Sequence, residues 1–122
     1  IIVPDATIYN LLGQANYYSN NPQAAIQAWS KGSALIKDGQ QNRMLAQVYC
    51  EESQYSECKS EAQTALNKGV KDKGDVYLLI AEAESEFGLN NSTAMIAALK
   101  EAAKYPESKD SANKQLKQAG IK

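Results

Sequence analysis

Histidine is missing altogether from these 122 residues. Without an imidazole the chain lacks the usual base of hydrolytic triads and histidine–cysteine dyads, and the commonest ligand of zinc and iron sites. Cysteine is scarce too. Cys50 and Cys58 are the only two, too few and too isolated for a metal site. With 13 basic and 14 acidic residues neither sign dominates, so no broad footprint for nucleic acid or an anionic membrane appears. No apolar run approaches the roughly 18 residues of a membrane span. A basic-then-apolar secretory leader is also lacking, and the opening at Ile1 rather than Met reads as a processed product or an excised segment. Catalysis is therefore not expected, and neither is a cofactor.

What the chain does have is helical periodicity, interrupted at regular intervals, over a length that fits one domain with a real core. Asp5 is placed to cap a first helix, in which Ile8, Leu11, Leu12 and Ala15 recur at helical spacing and are expected to form a core stripe. The run Ser19-Asn20-Asn21-Pro22 breaks it, and Pro22 suits the first turn of a second helix, where a missing N–H costs nothing. Ala25, Ile26 and Trp29 share one face of that helix, expected to reach about Ile36 before Asp38-Gly39. Leu45, Ala46 and Tyr49 mark a third helix. Tyr55, Cys58, Ala62, Ala65 and Leu66 mark a fourth, closed by Lys68-Gly69. After a charged turn with Asp75 as expected cap, Val76, Tyr77, Leu79, Ile80, Ala81 and Ala83 mark a fifth, ending at Phe87-Gly88. Ser92 is expected to cap a sixth, which carries Met95, Ile96, Leu99, Ala102 and Ala103 and stops at Tyr105-Pro106. A last short helix, 108–119, is mostly polar with Ala112, Leu116 and Ala119 in register, which suits the wet-faced lid of a repeat stack.

Aligning the small residue that follows Leu or Ile in each odd-numbered helix, Gly13, Ala46 and Ala81, gives intervals of 33 and 35 residues. A hairpin pattern recurring at about 34 residues resembles the tetratricopeptide repeat. The first unit carries the resemblance through Tyr9, Leu12, Gly13, Ala25, Trp29 and Gly32. The second does so through Leu45, Ala46, Tyr49, Tyr55, Ala62 and Ala65, with Cys58 where the family usually has a small Ala. The third follows through Ile80, Ala81, Gly88, Leu99 and Ala102, with a slightly longer loop at Leu89-Asn90-Asn91. The resemblance implies a single all-α domain over 1–122, with three tetratricopeptide helix-turn-helix repeats at about 6–37, 39–71 and 74–106. A capping helix at 108–119 completes a right-handed α-solenoid. A narrower likeness lies in Gly74–Ala81, in Lys100–Ser108 and in the closing helix. These look like the C-terminal end of bacterial periplasmic repeat proteins associated with TonB-type energy-transduction systems. That likeness implies a periplasmic accessory of such a complex, with a cytoplasmic protein as the alternative.

In this family the first helix of each hairpin lines a concave groove that holds an extended peptide or a partner helix. Carried onto this chain, the groove takes Thr7, Asn10, Gln14 and Tyr17, then Gln40, Arg43, Gln47 and Cys50, then Asp75, Leu78, Glu82 and Ser85. Asn10, Gln14, Tyr17, Arg43, Gln47, Leu78 and Glu82 are the candidate partner-binding residues. Amides pair with both the N–H and the C=O of an extended backbone, so this lining suits a peptide; the plainer reading is a solvated helix face. Family members that hold the C-terminal carboxylate of heat-shock chaperones use Lys, Arg and Asn in the groove. Here Asn10, Gln14, Gln47, Asp75 and Leu79 stand at those places, the cations are gone, and Asp75 and Glu82 would repel an acidic tail.

Cys50 and Cys58 fall near the turn of the second hairpin. Their spacing is compatible with a disulfide, and hence with an oxidising compartment such as the periplasm; two unlinked thiols are the alternative. Glu82, Glu84 and Glu86 stand two apart, do not face one another on a helix, and read as solvated surface. The overlapping sequons at Asn90-Asn91-Ser92-Thr93 are short enough to arise by chance. The expected function is a non-catalytic scaffold that binds a protein or peptide, without nucleic acid and without membrane insertion. The alternative is a self-assembly or homodimerisation domain of a larger envelope protein, joined through Ile1–Val3 or the last helix.

Overall fold

The computed structural model describes residues 5–121, so Ile1–Val3, one of the expected joining edges, lie outside the described residues. Those residues form seven α-helices and no strand: α1 (Ala6–Tyr18), α2 (Pro22–Ser33), α3 (Gln40–Glu51), α4 (Tyr55–Asn67), α5 (Lys73–Glu84), α6 (Ser92–Ala102) and α7 (Lys109–Gln118). α1 packs on α2, α3 on α4 and α5 on α6, giving three hairpins. Neighbouring hairpins meet through α2 with α3 and α4 with α5, and α7 closes the row against α6. The first helices begin at Ala6, Gln40 and Lys73, 34 and then 33 residues apart, and the packing is that of a helical repeat.

Local chemistry sets the helix ends. Asp5 Oδ1 accepts the Ile8 N–H at 3.1 Å, and Pro22 opens α2. α2 stops at Ser33 rather than near Ile36, and Lys68 reaches across from the next hairpin to the carbonyls at and just beyond the helix end. Its Nζ donates to the Ser33 and Ile36 oxygens at 2.8 and 3.2 Å. Gly39, with φ +80°, turns the chain into α3 in a conformation that L side chains resist. Asp75 is not a cap: α5 starts two residues before it, behind Asp72. α5 also ends at Glu84, short of Phe87-Gly88, where Ser85 turns extended and its Oγ donates to the Glu82 carbonyl at 2.7 Å. Asn91, rather than Ser92, caps α6 by accepting the Ala94 N–H, and α6 ends at Ala102, before the Tyr105-Pro106 turn.

The aligned small residues are packing sites. Gly13 lies under the Trp29 indole, and a Cβ there would run into the ring; Ala46 and Ala81 are fully buried. Trp29, Ala25 and Ile26 from α2 meet Leu45 and Val48 from α3. One hairpin on, Ala62 and Ala65 from α4 meet Val76, Ile80 and Ala83 from α5, in a cluster that extends to Leu99 and Leu116.

Two expectations about burial are overturned. The stripe Ile8, Leu11, Leu12 and Ala15 is not core; all four are exposed. In the Gly13–Ala46–Ala81 register, Leu12 corresponds to Leu45 and Ile80. Their exposures are 47%, 1% and 8% respectively. α2 covers Leu45 and α4 covers Ile80, whereas among the described residues no helix lies against that side of α1. Glu84, in turn, is not solvated surface. It is 1% exposed and ion-paired with Lys59 Nζ at 3.2 Å, a partner supplied by α4. At the far end, Ala112 and Leu116 of α7 are buried but Ala119 is exposed; the helix is mostly polar outside, with a hollow at its end lined by Asn113, Leu116, Lys117, Gly120 and Ile121.

Candidate partner-binding groove

The expected groove residues come from one face of α1, α3 and α5, and side-chain contacts tie these helices together. Tyr17 of α1 donates its hydroxyl to both carboxylate oxygens of Glu51 on α3 at 2.9 Å, and Gln47 Nε2 donates to the same hydroxyl at 3.2 Å. Burial raises the Tyr17 pKa, and the bond to Glu51 raises it further, so the hydroxyl keeps its proton. On α3, Arg43 lies with its Nε 3.6 Å from Asp72 Oδ2, at the start of α5. On α5, burial raises the Glu82 pKa, and the negative charge of Glu51 on α3 adds to it. Burial likewise pushes the Asp75 carboxyl up, with Asp72 and Glu107 adding to the effect and Arg43 opposing it.

The candidates differ in how far they are engaged. Asn10 is half-buried, and its Oδ1 accepts the Trp29 indole N–H at 2.9 Å, so its carbonyl end belongs to the packing of α1 on α2. Gln14 is exposed. Tyr17 and Gln47 hold each other while leaving an edge to solvent, as does Arg43. Leu78 and Glu82 line a cleft of about 400 Å³ together with Asp75, Ser85, Phe87 and Gln115. Gln115 belongs to α7, so the closing helix forms the far wall of this groove. Phe87 stands beside it, 81% exposed.

Glu51, Phe87 and Gln115 are groove residues that the sequence reading passed over. Glu51 was within reach, since it lies one helical turn beyond Gln47. Phe87 and Gln115 join the site only because α5 stops early and α7 docks across from it. With them the groove becomes two-part, amide-lined beside α1 and acidic with an apolar patch beside α5 and α7.

Cys50 and Cys58 are bridged by a disulfide, with Cα atoms 5.2 Å apart and both residues buried. The pair ties the end of α3 to the start of α4 beneath the groove. Among the described residues, no group of three or more His, Cys, Asp or Glu is placed to hold a metal, and no helix is long and apolar enough to cross a membrane. Comparison with protein-family models and with curated proteins finds no match to this chain.

Proposed function

We propose that this chain is a tetratricopeptide-type scaffold, without catalytic activity, that holds an extended segment of a partner protein against α1, α3 and α5. The observation that carries this reading is the side-chain linkage from α1 through α3 to the start of α5: Tyr17 to Gln47 and Glu51, and Arg43 to Asp72. A surface that spans three hairpins and is rich in amides and carboxylates suits a main chain flanked by basic side chains. The cleft beside Leu78 and Phe87 supplies an apolar foothold for the same segment.

The finer reading is a right-handed solenoid in a bacterial periplasm, serving a TonB-type system. It is supported by the 33- and 35-residue register, by the stretch Lys100–Ser108 and by the Cys50–Cys58 bridge. Disulfides persist in oxidising compartments and are rare in the cytosol of mesophiles.

The test is a titration of isotope-labelled protein with an extended lysine-containing peptide that carries one large apolar residue, and with its glutamate-substituted counterpart. The lysine peptide is expected to shift the amides of Gln14, Gln47, Leu78 and Glu82, and the glutamate peptide to leave them in place. Shifts confined to the opposite faces of α2, α4 and α6 would defeat the groove assignment.

A further inference from the structure

Between α4, α5 and α6 lies a hollow of about 320 Å³, on another face of α5 from Leu78 and Glu82. Its lining includes Tyr77 and Glu84 of α5, Ala94, Ala97 and Ala98 of α6, and Lys59 of α4. Two departures from the repeat make the room. In the Gly13–Ala46–Ala81 register Glu84 stands where α3 has Tyr49, which packs against both core clusters. Aligning Ala62 with Leu99 sets Ala94, Ala97 and Ala98 where α4 has Glu57, Ser60 and Glu61. The two alignments agree with each other. In the second hairpin Asn42 donates to Glu61 at 2.8 Å, and the corresponding residues of the third, Tyr77 and Ala98, flank the hollow.

The hollow also carries charge that the fold leaves half answered. Glu84 is buried with its Oε1 3.2 Å from Lys59 Nζ, and among the described residues its buried Oε2 has no hydrogen-bond partner. A buried acceptor without a donor is costly, and native proteins leave few of them. Lys59 is 36% exposed along its side chain and has three ammonium protons, so Glu84 Oε1 does not use up its donors.

We propose that this hollow is a binding site for a small zwitterion with an apolar side chain, a free α-amino acid of leucine or phenylalanine size. The ligand ammonium donates to Glu84 Oε2, its carboxylate accepts from Lys59 Nζ, and its side chain lies along the three alanines and Tyr77. Charge selects this class. A simple amine would bring a second cation up to Lys59. A simple carboxylate would meet Glu84 and also Glu101, a further lining residue. A zwitterion gives each of the two paired groups its opposite. The volume falls at the lower end of the ~300–1,000 Å³ of small-molecule sites, which suits a ligand of this size.

An isotope-edited titration of the whole chain with L-phenylalanine to ~20 mM tests this, a range that suits a small ligand in an open hollow. Saturable shifts are expected at the amides of Lys59, Tyr77, Glu84 and Ala97, with Gln14 and Gln47 unmoved. Phenethylamine and hydrocinnamate each keep the ring and one charged head. Each should bind about tenfold more weakly or worse, for the loss of one charge-assisted contact. Glu84→Gln should weaken L-phenylalanine by a similar factor. Ala97→Leu adds bulk to the alanine wall, leaves both charges in place and should abolish saturation. Ala97 is exposed, so that variant should keep the helical circular-dichroism signal and stays informative if Glu84→Gln fails to fold. The proposal is overturned if L-phenylalanine shifts nothing, or binds no better than its two one-headed analogues, or binds Ala97→Leu as it binds the wild type. Those are the results expected of an ion pair that serves packing alone. The lysine peptide is read on the groove face, at Gln14, Gln47, Leu78 and Glu82, so the two readings fail separately.

Discussion

At one end of the helix row α1 turns Ile8, Leu11, Leu12 and Ala15 to solvent without a single charged side chain, while at the other α7 buries Ala112 and Leu116 and faces water with lysines and amides. α7 is built as a stopper: short, polar on its outer side, and anchored through Leu116 to the large core cluster. α1 is built as one more inner helix. The groove follows the same division, amide-lined near α1 and acidic near α5 and α7. A repeat stack needs a polar terminus wherever it stops, and of these two ends α7 has the polar outer side while α1 shows an apolar side like those that α2 and α4 cover on α3 and α5.

The sharpest way to break that comparison is to cut the same register position in two hairpins. Leu45→Ala opens a cavity beneath Trp29 and Ile26 and should cost about 2–5 kcal/mol. Leu12→Ala, at the equivalent place on α1, should change stability by about 0.5 kcal/mol or less in the monomer, because the leucine is already half in water. Urea unfolding followed by the fluorescence of Trp29, the sole tryptophan, measures both at low protein concentration. Equal losses would mean that the α1 face is covered in solution even at that dilution.

A second, smaller effect tests whether the two ends are coupled through the middle. The Cys50–Cys58 bridge closes a short loop with a sequence separation of 8, and its reduction should cost about 2.5 kcal/mol by loop entropy. In a nearest-neighbour stack the middle hairpin carries the contact between ends. Reduction should therefore lower hydrogen-exchange protection in α2 and in α6 together. Protection lost on one side alone would show that the row splits at the α2–α3 or the α4–α5 contact.

Much of this architecture is legible in the residues, and the misreadings share a cause. Gly13, Ala46 and Ala81 are readable because a close helix contact demands a small residue at the same step of every hairpin, and only the local chain enters that demand. The Ile8–Ala15 stripe was misread because periodicity says which side of a helix is apolar, not whether another helix lies on it. Glu84 was misread for a parallel reason: its spacing to Glu82 and Glu86 is local, but the cation that allows its burial is Lys59, on another helix. Asn10 shows the same limit within the groove. An amide on the groove face reads as a ligand contact until Trp29, 19 residues away, takes its carbonyl oxygen. Gln115 was beyond reach, since its place in the cleft depends on where α7 docks.

The smallest effect separates the two halves of the groove by pH. Burial, and then the Glu51 charge, raise the Glu82 pKa above its ordinary value of 4.5. A carboxyl with a raised native pKa binds its proton more tightly in the folded chain than in the unfolded one, so stability rises as pH falls through that native value toward the ordinary one. Above the native pKa the full cost of the charge is present. Glu82→Gln should therefore be more stable than the wild type at pH 7, by only a few tenths of a kcal/mol because the site is largely open to solvent. The advantage should vanish near pH 4, as thermal melts across that range would record. The same change should weaken the lysine peptide at the α5 end and leave the shifts at Gln14 unaltered. Two outcomes would contradict the division: a stability difference independent of pH, or peptide shifts lost equally at Gln14 and Leu78. The groove would then respond as one field, and the contrast between its ends would be confined to the outer faces of α1 and α7.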